Sequence, residues 1–309
     1  MLNTKKSSKI NKNSKILIAV TAFLVIFYFL SFTKNCSSQD KREKIKTALV
    51  NQKYKDSINS IYLQDSTGFI ELTKQNDFWV LSSGSQLSVP ASSERINNLL
   101  DELTKVRNLY KISDKINKNS SLGLTNGTEF HIRYNYGNDS FRELIFGNQD
   151  FSLSSRYIMT GENTQVYEID SSMDVYLTTS IQSWTEPYLV SREVLSANDI
   201  QNARVFIHEK GENKTSGTIT DLNKYLELRH GGLPSEQEYE TIQNQKPVVR
   251  IEIENGDKTG ITQEIFSSEN EGSYLVKTGY YKADSKTAFY TSYSKISTWT
   301  YNKIKETTL

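Results

Sequence analysis

Residues Ile16 to Thr33 read ILIAVTAFLVIFYFLSFT, without a charge, a proline or a glycine. Twelve of the eighteen are Leu, Ile, Phe or Val. As a helix such a run extends about 27 Å, close to the hydrocarbon thickness of a bilayer. A helix apolar on every face has no side to turn to water. The run therefore predicts a single transmembrane helix in contact with the lipid bilayer through residues 16–33. Lys5, Lys6, Lys9, Lys12 and Lys15 precede it with no acidic residue among them. That bias predicts a cytoplasmic N-terminus and an extracytoplasmic remainder. Three other readings compete, of which a buried core helix is disfavoured because the run is apolar on every face. A cleaved signal peptide has a shorter apolar region ending at a small-residue site. Lipidation of Cys36 calls for small residues before it, where Lys34 and Asn35 stand.

The formal net charge of +1 hides an asymmetry. Six of the 37 basic residues lie in residues 1–34, which leaves 31 against 36 acidic residues in the rest. An acidic body of that size argues against nucleic acid as a partner. One cysteine excludes an internal disulfide and a cysteine-based metal cluster. The fold must be held by its apolar core, for which the remaining length suffices.

Residues 1–34 form the expected tail and membrane helix, and the polar residues 35–55 a juxtamembrane linker. From Ile58 on, INSIYL, GFIELT and DFWVLSS are short β-rich runs between polar turns. SVPASSERINNLLDELTKVRNL then predicts a helix. Ile96, Leu99, Leu100, Leu103 and Val106 recur with helical spacing, and Ser92 or Ser93 stands where a cap belongs. Asp101, Glu102, Lys105 and Arg107 are expected on its solvated face. In TEFHIRYNY, Phe130, Ile132, Tyr134 and Tyr136 alternate with polar residues, as in a half-buried strand. FRELIF, SRYIMT and QVYEID follow as strands. MDVYLTTSIQSW reads as a closing helix that ends at Trp184, before Pro187.

Residues 199–309 repeat this order in shorter form. Ile61-Tyr62-Leu63 aligns with Val205-Phe206-Ile207, Leu122-Gly123-Leu124 with Gly231-Gly232-Leu233, and Trp184 with Trp299. DLNKYLELRHGG is the counterpart helix. The expected domains are thus a first α+β repeat over 56–198 and a second over 199–309.

The succession of DFWVLSS, VPASSERINNLLDELTKV, LGL, the strands around FGN, RYIMTGENTQVYEID, the W-x-x-P-Y-L segment and NDIQNARVFI resembles the bacterial domain of unknown function 4340. The resemblance covers about residues 56–215 closely and the rest loosely. A proline usual after the LGL-like segment is replaced by Thr125-Asn126. The resemblance implies a single-pass protein of the bacterial cytoplasmic (inner) membrane with an extracytoplasmic, periplasmic domain. It also implies association with ABC-type transport components of the gliding-motility kind.

Motifs that carry chemistry are sparse. His131, His208 and His230 fit no H-x-x-x-H or H-E-x-x-H spacing. No G-x-S-x-G elbow and no phosphate-binding glycine loop occur. Cys36 is remote in sequence from every histidine. Tyr280-Tyr281 with Tyr290 and Tyr293 could form a carbohydrate platform, although packing within a tyrosine-rich sheet explains them as well. The sequence therefore predicts no catalytic, cofactor-binding or metal site. The expected fold class is α+β: a transmembrane helix followed by two related repeats of mixed or antiparallel sheet packed with helices. The expected role is a non-enzymatic accessory or scaffold subunit that meets a multi-span membrane protein or ABC transporter subunits. The alternatives are an envelope binding module for glycan or lipid and, behind it, a hydrolase with dispersed carboxylates.

Overall fold

The computed structural model describes residues 18, 20–28, 42–84, 88–116, 121–125, 127–136, 141–161, 164–196, 200, 203–209, 212–218, 221–283 and 285–308. It corrects the expected fold class twice. First, no helix among the described residues is long and apolar enough to cross a membrane. Residues 20–28 are helical, and the remainder of 16–33, apart from residue 18, lies outside the described residues, as does Cys36. Second, the protein is mostly β, with 43% strand against 25% helix, in two antiparallel sheets.

The first sheet has ten strands: β1 (Lys44–Thr47), β2 (Ile58–Asp65), β3 (Gly68–Gln75), β4 (Phe78–Ser82), β5 (Ser88–Pro90), β6 (Arg107–Ser113), β7 (Phe130–Tyr136), β8 (Phe141–Gln149), β9 (Ser155–Thr160) and β10 (Val166–Asp170). Their order is β1-β6-β10-β9-β8-β7-β2-β3-β4-β5. Part of the stretch read as a linker is therefore folded, since β1 pairs with β6. The second sheet contains β11 (Arg204–Glu209), β12 (Glu212–Thr218), β13 (Val249–Glu254), β14 (Gly260–Ser267), β15 (Ser273–Tyr281) and β16 (Tyr290–Ser297). It runs β12-β11-β13-β14-β15-β16. The same order of strands, β3-β2-β7-β8-β9-β10, makes up the middle of the first sheet.

Helix α1 (Ser93–Thr104) forms where its stripe requires. Ser92 caps it by accepting from the Arg95 N–H, and Ile96, Leu99, Leu100 and Leu103 are buried. The stripe stops there. Lys105 is extended, and Val106 lies 58% exposed. Arg107, expected in solvent, is buried at the start of β6. Its guanidinium binds Ser172 Oγ at 2.9 Å and Asp170 Oδ1 at 3.3 Å, and it also reaches the Glu102 carbonyl. A buried arginine needs such partners to offset its lost hydration.

The other helices are shorter than α1. MDVYLTTSIQSW is a 3-10 turn over Ser171–Tyr176 followed by the single-turn α2 (Ile181–Trp184). One local and one tertiary side-chain hydrogen bond break it in two. The Thr178 carbonyl accepts from Trp184 Nε1 at 2.9 Å, and Thr179 Oγ1 donates to Asp65 at 2.9 Å. α3 (Leu222–Leu226) has five residues, and α4 (Glu236–Asn244) nine. α5 (Thr298–Thr308) carries Trp299 in its first turn, where it is 66% exposed, whereas Trp184 is fully buried. The two tryptophans are thus not equivalent.

Two of the sequence motifs meet. The Leu122 carbonyl accepts from the Asn148 N–H at 2.8 Å, which lays the LGL turn on the Phe146-Gly147-Asn148 stretch of β8. Gly123 turns the chain with φ +68°, and a Cβ on Gly147 would collide with the Leu122 carbonyl. Gly147→Ala is expected to cost about 1–3 kcal/mol, since backbone must shift to admit the methyl. Urea unfolding reads this directly, and a loss below about 0.5 kcal/mol would mean that the contact yields freely.

The two cores meet across β4. Trp79 and Leu81 face the first core, while Phe78 and Val80 belong to the second. That explains the unbroken apolar run in DFWVLSS, where a sheet with one wet face would alternate. The segment after Trp184 joins the units. Thr185 bridges Ala91, the Glu186 N–H donates to the Pro90 carbonyl, and the Leu189 N–H to the Leu228 carbonyl. The Ser191 N–H donates to the Tyr280 hydroxyl at 2.9 Å. The W-x-x-P-Y-L segment is therefore the joint between the sheets.

Candidate functional site

A concavity of about 960 Å³ lies on the second unit, between the chain from Asp221 to Gly231 and one face of α5. α3 is fixed at its start by Asp221, whose carboxylate accepts from the Lys224 N–H at 3.1 Å and pairs with Lys224 Nζ at 2.7 Å. That pairing holds the Asp221 carboxyl below its ordinary range and the Lys224 amine above its own. α5 starts on Ser297, whose hydroxyl accepts from the Thr300 N–H at 3.2 Å. One stripe of α5, Thr300, Ile304 and Thr307, is buried. Trp299, Lys303 and Glu306, spaced i, i+4, i+7, form the neighbouring stripe and line the cleft. Lys303 Nζ pairs with Glu306 and lies 6.0 Å from the Trp299 ring centre.

His230 also borders the cleft, but its ring is committed. The Gly232 N–H donates to Nδ1 at 3.1 Å, so Nδ1 is unprotonated and Nε2 carries the hydrogen toward the Glu186 carbonyl at 2.8 Å. Burial holds the ring below the ordinary histidine range. Both nitrogens are thus occupied, and the ring is a brace between the joint and the cleft wall. The other histidines have partners of their own. His131 Nδ1 lies 3.0 Å from Glu143 Oε1, which also accepts from Arg133 Nε at 2.7 Å. His208 Nε2 is 3.7 Å from Glu252. The structure does not bring the three together.

The tyrosines singled out in the sequence do not form a platform. Tyr280 and Tyr290 are buried at the joint, and Phe78 meets the Tyr290 ring edge-on at 5.1 Å. Burial pushes the Tyr280 hydroxyl up to about 12. Tyr293 packs edge-on against Tyr239 at 4.9 Å. Among the described residues, no group of three or more His, Cys, Asp or Glu side chains could hold a metal ion.

Two features escaped sequence reasoning. Trp299 was paired with Trp184 by position, although its spacing with Lys303 and Glu306 already marks an outward helix face. Glu186, inside W-x-x-P-Y-L, is only 6% exposed. Burial raises its carboxyl to about 7, against hydrogen bonds from Ser191 Oγ and, at 2.9 Å, the Arg192 N–H. Its sequence signal was an acidic residue between Trp184 and Pro187. It is roofed by the joint and does not line the cleft. The cleft therefore carries an exposed aromatic ring beside fixed charges.

The sequence model of one protein family, described as Domain of unknown function (DUF4340), matches residues 79–247, more than half of the chain. No curated protein and no solved structure matches the chain.

Proposed function

Because the chain belongs to the DUF4340 family, a domain whose function is unknown, we propose its role from its surface: a non-enzymatic accessory or scaffold subunit that docks through exposed apolar side chains. The observation that carries this is the turn after β8. Phe151 is fully exposed and Leu153 is 65% exposed at φ +57°, a conformation unfavourable for leucine. The turn is built to hold them there. The Asp150 carboxylate accepts four hydrogen bonds, from the N–H and hydroxyl of Ser152 and the N–H groups of Ser154 and Ser155. Those bonds, the Ser152 hydroxyl's first, hold its carboxyl at about 2. Val175 is exposed beside it: Asp174 binds Gln149 and Arg156, which ties this strip to the same end of the sheet. A fixed turn presenting large apolar side chains to water is the mark of an interaction surface. The exposed apolar side chains among residues 20–28 supply a second such surface for a neighbouring subunit. In this reading the neighbour is a multi-span or ATPase subunit of an ABC-type transport complex, as the family resemblance implies.

After crosslinking in intact cells, full-length protein in mild detergent should bring down such subunits in fixed ratio. The double variant Phe151→Ser/Leu153→Ser should bring down several-fold less while its thermal midpoint stays unchanged, because neither side chain packs on the core. A chain that purifies alone, or a double variant with full recovery, contradicts the reading. The Trp299 cleft favours a second role, a ligand-binding module, beside the first.

A further inference from the structure

We propose that the cleft between α3 and α5 is a binding site for a neutral oligosaccharide, with the Trp299 ring as its stacking platform. The inference deepens the ligand-binding role and stands apart from the docking turn on the first unit.

Three observations converge on this ligand. The first is the ring itself. Trp299 is 66% exposed in a cleft, while the other two tryptophans, Trp79 and Trp184, are buried. Leaving an indole in water forgoes the gain of burying it, and a sugar's C–H face covers such a ring while its hydroxyls stay hydrogen-bonded. The second is charge. Asp221, Glu227 and Glu306 balance Lys224, Arg229 and Lys303 along the cleft, and the His230 ring is neutral. Two of the three acids are already paired with two of the cations, Asp221 with Lys224 and Glu306 with Lys303. A polyanion would need a surplus of positive charge, and an acyl chain would need walls without ions. A neutral polyol needs neither and can use ion-paired carboxylates and ammonium groups as acceptors and donors to its hydroxyls. The third is size and rigidity. About 960 Å³ falls within the span of small-ligand sites and is ample for a short oligosaccharide. The platform sits on a helix anchored by Thr300, Ile304 and Thr307, and the opposite wall is braced by His230. The binding geometry is thereby set before the ligand arrives.

The test uses maltohexaose, cellohexaose and chitohexaose as probes, with a heparin hexasaccharide as the anionic comparison, titrated into full-length protein. Because Trp79 and Trp184 are buried, a change in tryptophan emission reports on Trp299. At least one neutral hexasaccharide should shift the emission with a dissociation constant between about 10 μM and 1 mM, and the heparin fragment should not. Trp299→Ala should weaken binding at least about tenfold, with calorimetry as the readout and an unchanged thermal midpoint. Trp299→Phe, which keeps an aromatic face, should retain most of the affinity. Glu306→Gln should lower affinity a few-fold without touching the ring. Absence of binding by all three neutral probes up to about 10 mM overturns the proposal. So does binding that Trp299→Ala leaves intact, or a preference for the heparin fragment. If no saccharide binds while a protein partner shields Trp299 from oxidation in the crosslinked complex, the cleft belongs to that partner and the proposal is likewise overturned. A failure here leaves the Phe151 and Leu153 experiment untouched, so the two readings fall separately.

Discussion

Trp184→Ala is expected to destabilise the protein by about 3–5 kcal/mol, and Trp299→Ala by less than about 0.5 kcal/mol. The two residues stand at matching places in the sequence, and the contrast comes from what surrounds them. The Trp184 side chain is wholly buried in the first core. Its Nε1–H satisfies the Thr178 carbonyl at 2.9 Å, and the Arg95 guanidinium lies 4.7 Å from its ring. Its own carbonyl accepts from the N–H of Ser92, the cap of α1. Truncation leaves a large void beneath the joint and takes the donor from the half-buried Thr178 carbonyl. Trp299 loses only an exposed ring. Urea unfolding of the two variants reads the difference, and similar losses at both sites would mean that Trp299 is covered in the protein as purified.

Glu186→Gln is expected to make the protein more stable above pH 7 and to remove a pH dependence. The Glu186 carboxyl titrates at about 7 when folded, above its ordinary 4.5, because burial disfavours its charged form. The folded state therefore holds a proton between pH 4.5 and 7 that the unfolded state has released. The slope of stability against pH is negative across that window. The stabilising contribution of this proton is complete below pH 4.5 and lost as pH rises through 7, a change of about 3 kcal/mol. Glutamine is neutral throughout and keeps an acceptor for the Arg192 N–H. His230, held below its ordinary range by burial, acts in the opposite direction, since acid must protonate it. The informative quantity is thus the difference between variant and parent, which should grow from near zero at pH 4.5 to about 3 kcal/mol at pH 8. Parallel stability curves would show that Glu186 ionises freely within the fold.

What could be read from the sequence follows the period of each segment. Helix α1 was legible because four buried side chains recur at helical spacing behind a serine cap. β7 was legible because Phe130, Ile132 and Tyr134 alternate with polar neighbours. The errors arose where tertiary bonds overrule local pattern. Arg107 looked solvated, and only its pairing with Asp170 and Ser172 explains its burial. MDVYLTTSIQSW has helical spacing, yet Asp65 and the Trp184 indole claim its middle. The apolar run at 16–33 suggested a complete span, whereas no helix among the described residues, which include 18 and 20–28 of that run, is long and apolar enough to cross a membrane. For the cleft, positional matching with Trp184 concealed Trp299. For Glu186 the only local signal, an acidic residue between Trp184 and Pro187, does not reveal burial, which arises from the packing of two units that are distant in sequence.

Site-specific photo-crosslinking in intact cells tests the scaffold reading most directly. A photoreactive phenylalanine at position 151, on the turn braced by Asp150, is compared with one at position 74, where Lys74 is exposed on β3. One discrete protein adduct is expected from position 151, lost when Leu153→Ser is added, and no adduct of that size from position 74. The same pattern from both positions, or no protein adduct from position 151, would contradict the scaffold reading.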